Sequence, residues 1–278
     1  MEALKIYAFA DEASSSVDEQ IKAMKENGLD GLEIRGVDGT NIADITVEKA
    51  REVRKKMDAA GLVTWSIGSP SGKIGINDEF APHLDKFRHM LEIADILGAK
   101  MFRLFSFYMP KDEDPAVYRD EVMARLNAFC DAAQGSAVTL CHENEKGIYG
   151  DIAPRCLDIL TSVPRLKGIF DPANFIQCSQ DTAQGWEMLR DKIIYLHVKD
   201  ATADGRVVPA GNGIGNLKMI VEQFRQQGGE AVTLEPHLTV FDSLASLERE
   251  GEKTRIDPFT YETPRKAFDA AVSAFRAL

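Results

Sequence analysis

The feature that most constrains this chain of 278 residues is a repeat. Gly28, Gly61, Gly98 and Gly135 recur roughly every 35 residues, the length of one βα unit, and Gly228 follows about three such steps later. Each stands where a helix would end and just ahead of a short apolar run. The runs are rich in β-branched and aromatic residues and do not alternate strictly, which is the pattern of strands covered on both faces. There are eight, at 4–10, 31–35, 63–68, 101–107, 138–143, 168–171, 193–198 and 231–236. Between them lie amphipathic stretches, such as 80–97, where Leu84, Phe87, Leu91 and Ala94 share one helical face. Ser16-Val17-Asp18-Glu19 has the form of a capping box and starts the first helix. Eight strands alternating with helices predict an α/β chain closed into a single (β/α)8 barrel, one domain over 1–278.

Composition narrows the partners. Lys and Arg number 33 against 44 Asp and Glu, a net charge of −11, so the overall field repels phosphate backbones and anionic lipid. No nucleic-acid or membrane partner is expected, and no apolar stretch approaches the length of a transmembrane helix. The start, MEALKIYAFADEA, lacks a cationic region and meets Asp11 early, so a cytoplasmic location is expected. Cys130, Cys141, Cys156 and Cys178 show no CxxC spacing and are expected to be reduced, buried side chains.

Two segments exceed what a minimal barrel needs: GSPSGKIGINDE, after the third strand, and 237–263, after the eighth. Loops that follow barrel strands build the active-site face, so both are expected to cover a substrate; Phe241, Phe259 and Tyr261 would supply a lid or a subunit contact. The last four strands end in ionisable groups, Glu143, Asp171, His197 and Glu235. Three carboxylates and an imidazole at one mouth would repel one another unless a cation sat among them, which predicts one divalent metal ion. Three oxygens and a ring nitrogen suit Mn2+, the favoured ion, or Mg2+, Co2+ or Zn2+, and not thiolate-loving ions. Cys141 faces the same way as Glu143 but one layer deeper.

In these motifs the chain resembles the sugar phosphate isomerase/epimerase superfamily, the xylose isomerase-like TIM barrels. The matching segments are HENEKGIYGD (142–151), FDPANF (170–175), LHVKDA (196–201) and TLEPH (233–237), and the likeness covers essentially the whole chain. It implies metal ligands at Glu143, Asp171, His197 and Glu235, the same four, and an acid–base pair formed by Glu143 and Glu235. Residues 206–213 resemble the family's Arg-x-x-Pro-Gly-x-Gly segment with an inserted alanine, which puts a substrate contact on Arg206. Asn174 stands where several family members carry histidine, and the family's His-x-His is here Tyr195-Leu196-His197. The bare GNGIG lacks the lysine of a phosphate-binding loop and reads as a turn.

The chemistry these groups suit is removal of a proton beside a carbonyl, with the metal offsetting the charge of the enediolate and two glutamates exchanging the proton. Return of the proton on the opposite face epimerises; return to the neighbouring carbon isomerises. The expected ligand is a sugar, a sugar phosphate or a polyol ketone, bound by Asn174, Lys199, Asp200, Arg206, Trp65 and His237, with Glu33, Arg103, His142, Phe105 and Tyr108 as further rim residues. Lys199 and Asp200 also suit a rim salt bridge, and His142 suits the helix layer by alternation from Glu143. His83 and His89 read as helix packing. A dehydratase or lyase acting on an inositol-like ketone shares the first step, and a non-catalytic sugar-binding barrel shares the pocket. An abasic-site endonuclease of this barrel type would need many more than five histidines. Assembly into a homo-oligomer is compatible with all of these.

Overall fold

The computed structural model describes residues 4–242, 244, 254–256 and 260–278. Eight parallel strands close into a barrel. They are β1 Lys5–Ala8, β2 Gly31–Ile34, β3 Val63–Ile67, β4 Met101–Leu104, β5 Thr139–Glu143, β6 Lys167–Phe170, β7 Ile193–Val198 and β8 Ala231–Leu234. All eight apolar runs of the sequence supply a strand. Each strand pairs with its sequence neighbours, and β1 closes the ring by pairing Lys5 with Ala231 of β8 and Tyr7 with Gly31 of β2. An outer ring is formed by α1 Val17–Glu26, α2 Val47–Ala60, α3 Phe80–Leu97, α4 Arg119–Ala132, α5 Ala153–Ser162, α6 Thr182–Leu189, α7 Leu217–Gln226 and α8 Pro264–Arg276.

Helix ends follow local chemistry in most places. Thr46, Asp181 and Thr263 cap α2, α6 and α8 through their side-chain oxygens. Gly61 and Gly98 end α2 and α3 with φ of 69°, a left-handed turn that a Cβ would strain. The first helix begins at Val17, but Ser16 makes no capping hydrogen bond. Asp38, from the short ribbon that pairs Gly36–Val37 with Thr40–Asn41, accepts the Val17 N–H at 2.9 Å instead. A residue distant in sequence has displaced the local capping box because the β2–α2 ribbon folds over the start of α1.

Apolar burial divides into two layers. Between sheet and helices, Phe87, Phe102, Phe107 and Phe129 pack ring against ring. Inside the lower barrel, Tyr7, Cys141, Ile169, Tyr195 and Ala231 fill the interior with Trp65 against them. This filled base forces any ligand to the opposite end, where the strands terminate. No helix of the described residues is long and apolar enough to cross a membrane.

Candidate metal and active site

Glu143 closes β5, Asp171 directly follows β6, His197 is the penultimate residue of β7, and Glu235 directly follows β8. Parallel register levels these strand ends: Glu143 pairs with Ile169 and His197 with Thr233. One ligand atom from each of the four residues lies within 4.8 Å of the others, and all four are buried. Asp171 also caps the short helix Pro172–Gln177, its Oδ1 accepting the Asn174 N–H at 2.9 Å. Asn144 fixes it further: Nδ2 donates to the Asp171 carbonyl and Oδ1 accepts from the Asp171 N–H, both at 2.9 Å. The asparagine of the HEN segment thus ties the ends of β5 and β6 together.

His197 stands between two tiers of carboxylates. Its Nδ1 lies 2.9 Å from Glu143 Oε1 and 3.5 Å from Glu235 Oε2. On the other side Nε2 lies 3.0 Å from Glu33 Oε2. Glu33 is fully buried and receives hydrogen bonds from Tyr195 Oη and Ser66 Oγ, so it braces the imidazole from below and does not reach the rim. A shift in strand register between Leu32 and Glu33 accompanies this placement. Burial alone would lower the His197 pKa, but Glu143 and Glu33 outweigh it and hold the pKa well above the ordinary value. A metal-bound histidine is commonly oriented in this way by a carboxylate on its second nitrogen.

The chain supplies cations of its own, which the strand-end argument overlooked. Arg103 Nη1 pairs with Glu143 Oε2 at 3.1 Å. Arg35 joins Asp11, Glu12 and Glu235 at 2.9, 3.0 and 3.3 Å. Lys199 Nζ lies 2.9 Å from Asp171 Oδ2 and 3.1 Å from Glu235 Oε2. The carboxylates therefore coexist without an added ion. For Glu235, burial pushes the pKa up, but Lys199, His237 and His197 prevail and hold it well below the usual carboxylate range. For Asp171 burial dominates, with Glu235 and Glu143 adding to it, and the pKa is raised. Asp171 Oδ2 has no aligned hydrogen bond despite the nearby ammonium. That acceptor, with three further donor groups of hard to borderline character around one point, fits a divalent cation.

Of the expected substrate contacts, Asn174, Lys199 and His237 line a cleft above the cluster, together with Glu143 and Glu235. His237 occupies a left-handed backbone conformation, with φ of 44°, while its N–H donates to Glu12 Oε2 at 2.6 Å. The other three are elsewhere. Trp65 stacks on Tyr7 at 4.8 Å in the lower barrel, below the rim, because its position on β3 puts it in the base layer. Asp200 is buried beneath the loop that follows its own ribbon: Oδ1 accepts from the N–H groups of Ala201 and Gly215, and Oδ2 from Gly211 and Gly213. A Cβ on Gly213 would lie 2.3 Å from Asp200 Oδ1, so the close wrapping requires glycine there. The Gly-rich segment is thus a turn around a carboxylate. Arg206 is exposed beside the ribbon that pairs Asp200–Ala201 with Val207–Val208, and it is not among the described residues lining the cleft.

His142 faces the helix layer, with Nε2 3.0 Å from Ser106 Oγ, and burial pushes its pKa down to about 3. Tyr108 lines the cleft, whereas Phe105 is buried behind it under Lys73 and Arg103. The loop after β3 contributes Lys73, which pairs with Glu145 across the cleft mouth. From the segment after β8, Thr254 lines the cleft, Phe241 packs edge-on against His237, and Tyr261 packs with Leu238. Phe259 lies outside the described residues. Sequence reasoning missed Asp11, Glu12 and Arg35. Their signal was available, since β1 and β2 also run into charged residues, in FADE and EIR.

A family model described as xylose isomerase-like TIM barrel matches residues 21–252. No curated protein matches the chain in sequence. Among solved structures, a probable 3-DHS dehydratase, AsbF, from Bacillus anthracis superposes with a TM-score of 0.75 at 17% identity, covering 98% of this chain and 99% of its own. The 3-keto-D-glucoside 4-epimerase YcjR from E. coli gives 0.72 at 18%, covering 99% and 100%. D-psicose 3-epimerase from Clostridium cellulolyticum H10 gives 0.73 at 13%, covering 99% and 98%. At these identities the likeness is one of fold.

Proposed function

This chain belongs to the xylose isomerase-like TIM barrel family, and from that premise we propose that it is a divalent-metal-dependent isomerase or epimerase of a sugar or polyol ketone. The observation that carries the proposal is the convergence of Glu143, Asp171, His197 and Glu235, from four consecutive strands, at the floor of a cleft. These four would hold the ion, with Mn2+ favoured. When bound, it would polarise the substrate carbonyl as a Lewis acid and offset the negative charge that builds as the neighbouring proton leaves.

The remaining work falls to side chains. Glu143 and Glu235 both open onto the cleft and are both candidates to move the proton. Each is held in place: Glu143 by Arg103 and His197, Glu235 by Arg35 and Lys199. One, ionised, takes a proton from the carbon beside the carbonyl; to epimerise, the other, entering protonated, gives its own proton to that carbon from the far side, and to isomerise, a proton is given to the adjacent carbon. Asn174 and His237 line the same cleft and offer hydrogen bonds to substrate hydroxyls. Asp200 is taken up by the backbone of the 211–215 loop, which does not line the cleft, and Arg206 serves as a contact only if its ribbon folds inward over a ligand.

The test is incubation of the Mn2+-loaded protein with a panel of ketoses and inositol ketones in D2O, read by NMR. Deuterium entering the carbon beside the carbonyl, together with an epimer or isomer, is the expected result. Loss of water from the same substrate would mark a dehydratase. Binding by calorimetry without exchange on any ligand would leave a sugar-binding barrel and overturn the enzymatic reading.

A further inference from the structure

Arg35 and Arg103 stand beside the ligand cluster on anchors of their own. Arg103 donates to the Gly68 and Ser69 carbonyls as well as pairing with Glu143, and Arg35 is gripped by Asp11 and Glu12 under the Phe9 ring. Lys199 differs. Among the described residues its ion-pair partners are Asp171 and Glu235, both of them candidate ligands, and its ammonium sits 2.9 and 3.1 Å from them, only 7% exposed.

Resting on the reading of this cluster as a metal site, we propose that Lys199 is a built-in counter-ion of the metal-free protein and that a divalent ion takes its place. The same two carboxylate oxygens cannot hold a divalent ion at roughly 2.0–2.3 Å and an ammonium at hydrogen-bond distance without pressing like charges together. One of the two cations must leave. Lysine can do so, because its charge rides on a flexible four-carbon stem and Lys199 already borders the cleft. Glu145, which already pairs with Lys73, lines the same cleft and offers the displaced ammonium another carboxylate to share. Two consequences follow: ion uptake is a cation exchange, with affinity reduced by the resident charge, and the metal-free barrel stays closed over its own acids. The displaced amine is delivered to the place where substrate would lie.

Lys199→Met keeps the stem and removes the charge. Titration calorimetry with Mn2+ should show at least tenfold tighter binding to this variant than to the parent chain. Its metal-free form should melt lower and gain more on Mn2+ addition. Equal or weaker Mn2+ affinity in the variant would overturn the exchange. The unaltered protein provides a check that does not require the variant to fold. Acetylation of Lys199, followed by mass spectrometry, should be several-fold faster with Mn2+ than with chelator, and equal rates would overturn the proposal. Mn2+ binding to the parent chain without tightening in the variant refutes the exchange alone, whereas no Mn2+ binding to either refutes the metal site and the exchange with it.

Discussion

Two acidic residues in the cluster, chemically similar and both buried, are assigned different work, and conservative substitution separates them. Glu235→Gln keeps an oxygen that can ligate and the length that Arg35 and Lys199 grip, but an amide has no useful acid–base pKa. Its turnover is expected to fall by about 10²–10⁴-fold with KM near that of the parent, since that is the usual size of a general acid–base contribution. Asp171→Asn removes charge from a group whose Oδ1 holds the Asn174 N–H and whose Oδ2 pairs with Lys199. Its metal occupancy should drop, and excess Mn2+ should restore part of its activity. If metal titration rescues both variants alike, or neither, Glu235 is no more a proton carrier than Asp171 is.

At the scale of elements, two loops are each anchored in part by a single side chain. Asp200 supplies acceptors for four backbone N–H groups, so Asp200→Ala strands buried donors under the 211–215 loop. A cost of about 3 kcal/mol or more is expected, seen as a lower urea midpoint. The loop after β3 hangs on His83, whose Nε2 accepts the Gly72 N–H at 2.7 Å. Burial, aided by Lys86 and Arg125, pushes the His83 pKa down to about 4. A base with a depressed folded pKa contributes fully above its unfolded value, near 6.5, and its contribution is lost as pH falls toward 4, because the unfolded chain binds the proton first. His142, at about 3, acts in the same direction. The share of stability that these two histidines supply should therefore decline from pH 7 to pH 5, by at most about 1.4 kcal/mol per pH unit for each, against an opposite contribution from Asp171 and His197, whose folded pKa values are raised. His83→Gln retains an acceptor for Gly72 and does not titrate, so the difference in urea midpoint between the two pH values should shrink in that variant. An unchanged difference would show that His83 is not the group responsible.

For the whole molecule, the ligands come from β5 to β8, and the residues that brace them come from both halves, Glu33, Arg35 and Arg103 from β2, β4 and their ends and Lys199 from the end of β7, so the site forms only when the barrel closes. An ion that binds the folded chain and not the unfolded one stabilises it by mass action, about 2.7 kcal/mol at 100 times its Kd. For a chain of this size that corresponds to a rise of roughly 5 °C in Tm with Mn2+, reversed by chelator. A Tm insensitive to every divalent ion tried would remove the support for the metal reading.

The sequence by itself determined the barrel, and the reason is periodic: strands covered on both sides read as short apolar runs, and five of the helices are followed by a left-handed glycine, so eight runs and five glycines mark the units. It also determined which strand ends converge, because parallel strands in a closed barrel all run out at one mouth, where Glu143, Asp171, His197 and Glu235 meet. Only the tertiary structure decided how deep each residue sits and which way it turns. Trp65 reads as a pocket wall yet lies in the base layer; Asp200 reads as a substrate contact yet is consumed by the amides of its own loop; Asp38 caps α1 in place of Ser16. Charge balance was likewise invisible in one dimension. Arg35 is 200 residues from the Glu235 it steadies, and Lys199 turns not to its neighbour Asp200 but inward to Asp171 and Glu235. Ionic pairing depends on distance in space, and in this barrel closure is what brings residues from opposite ends of the chain into contact.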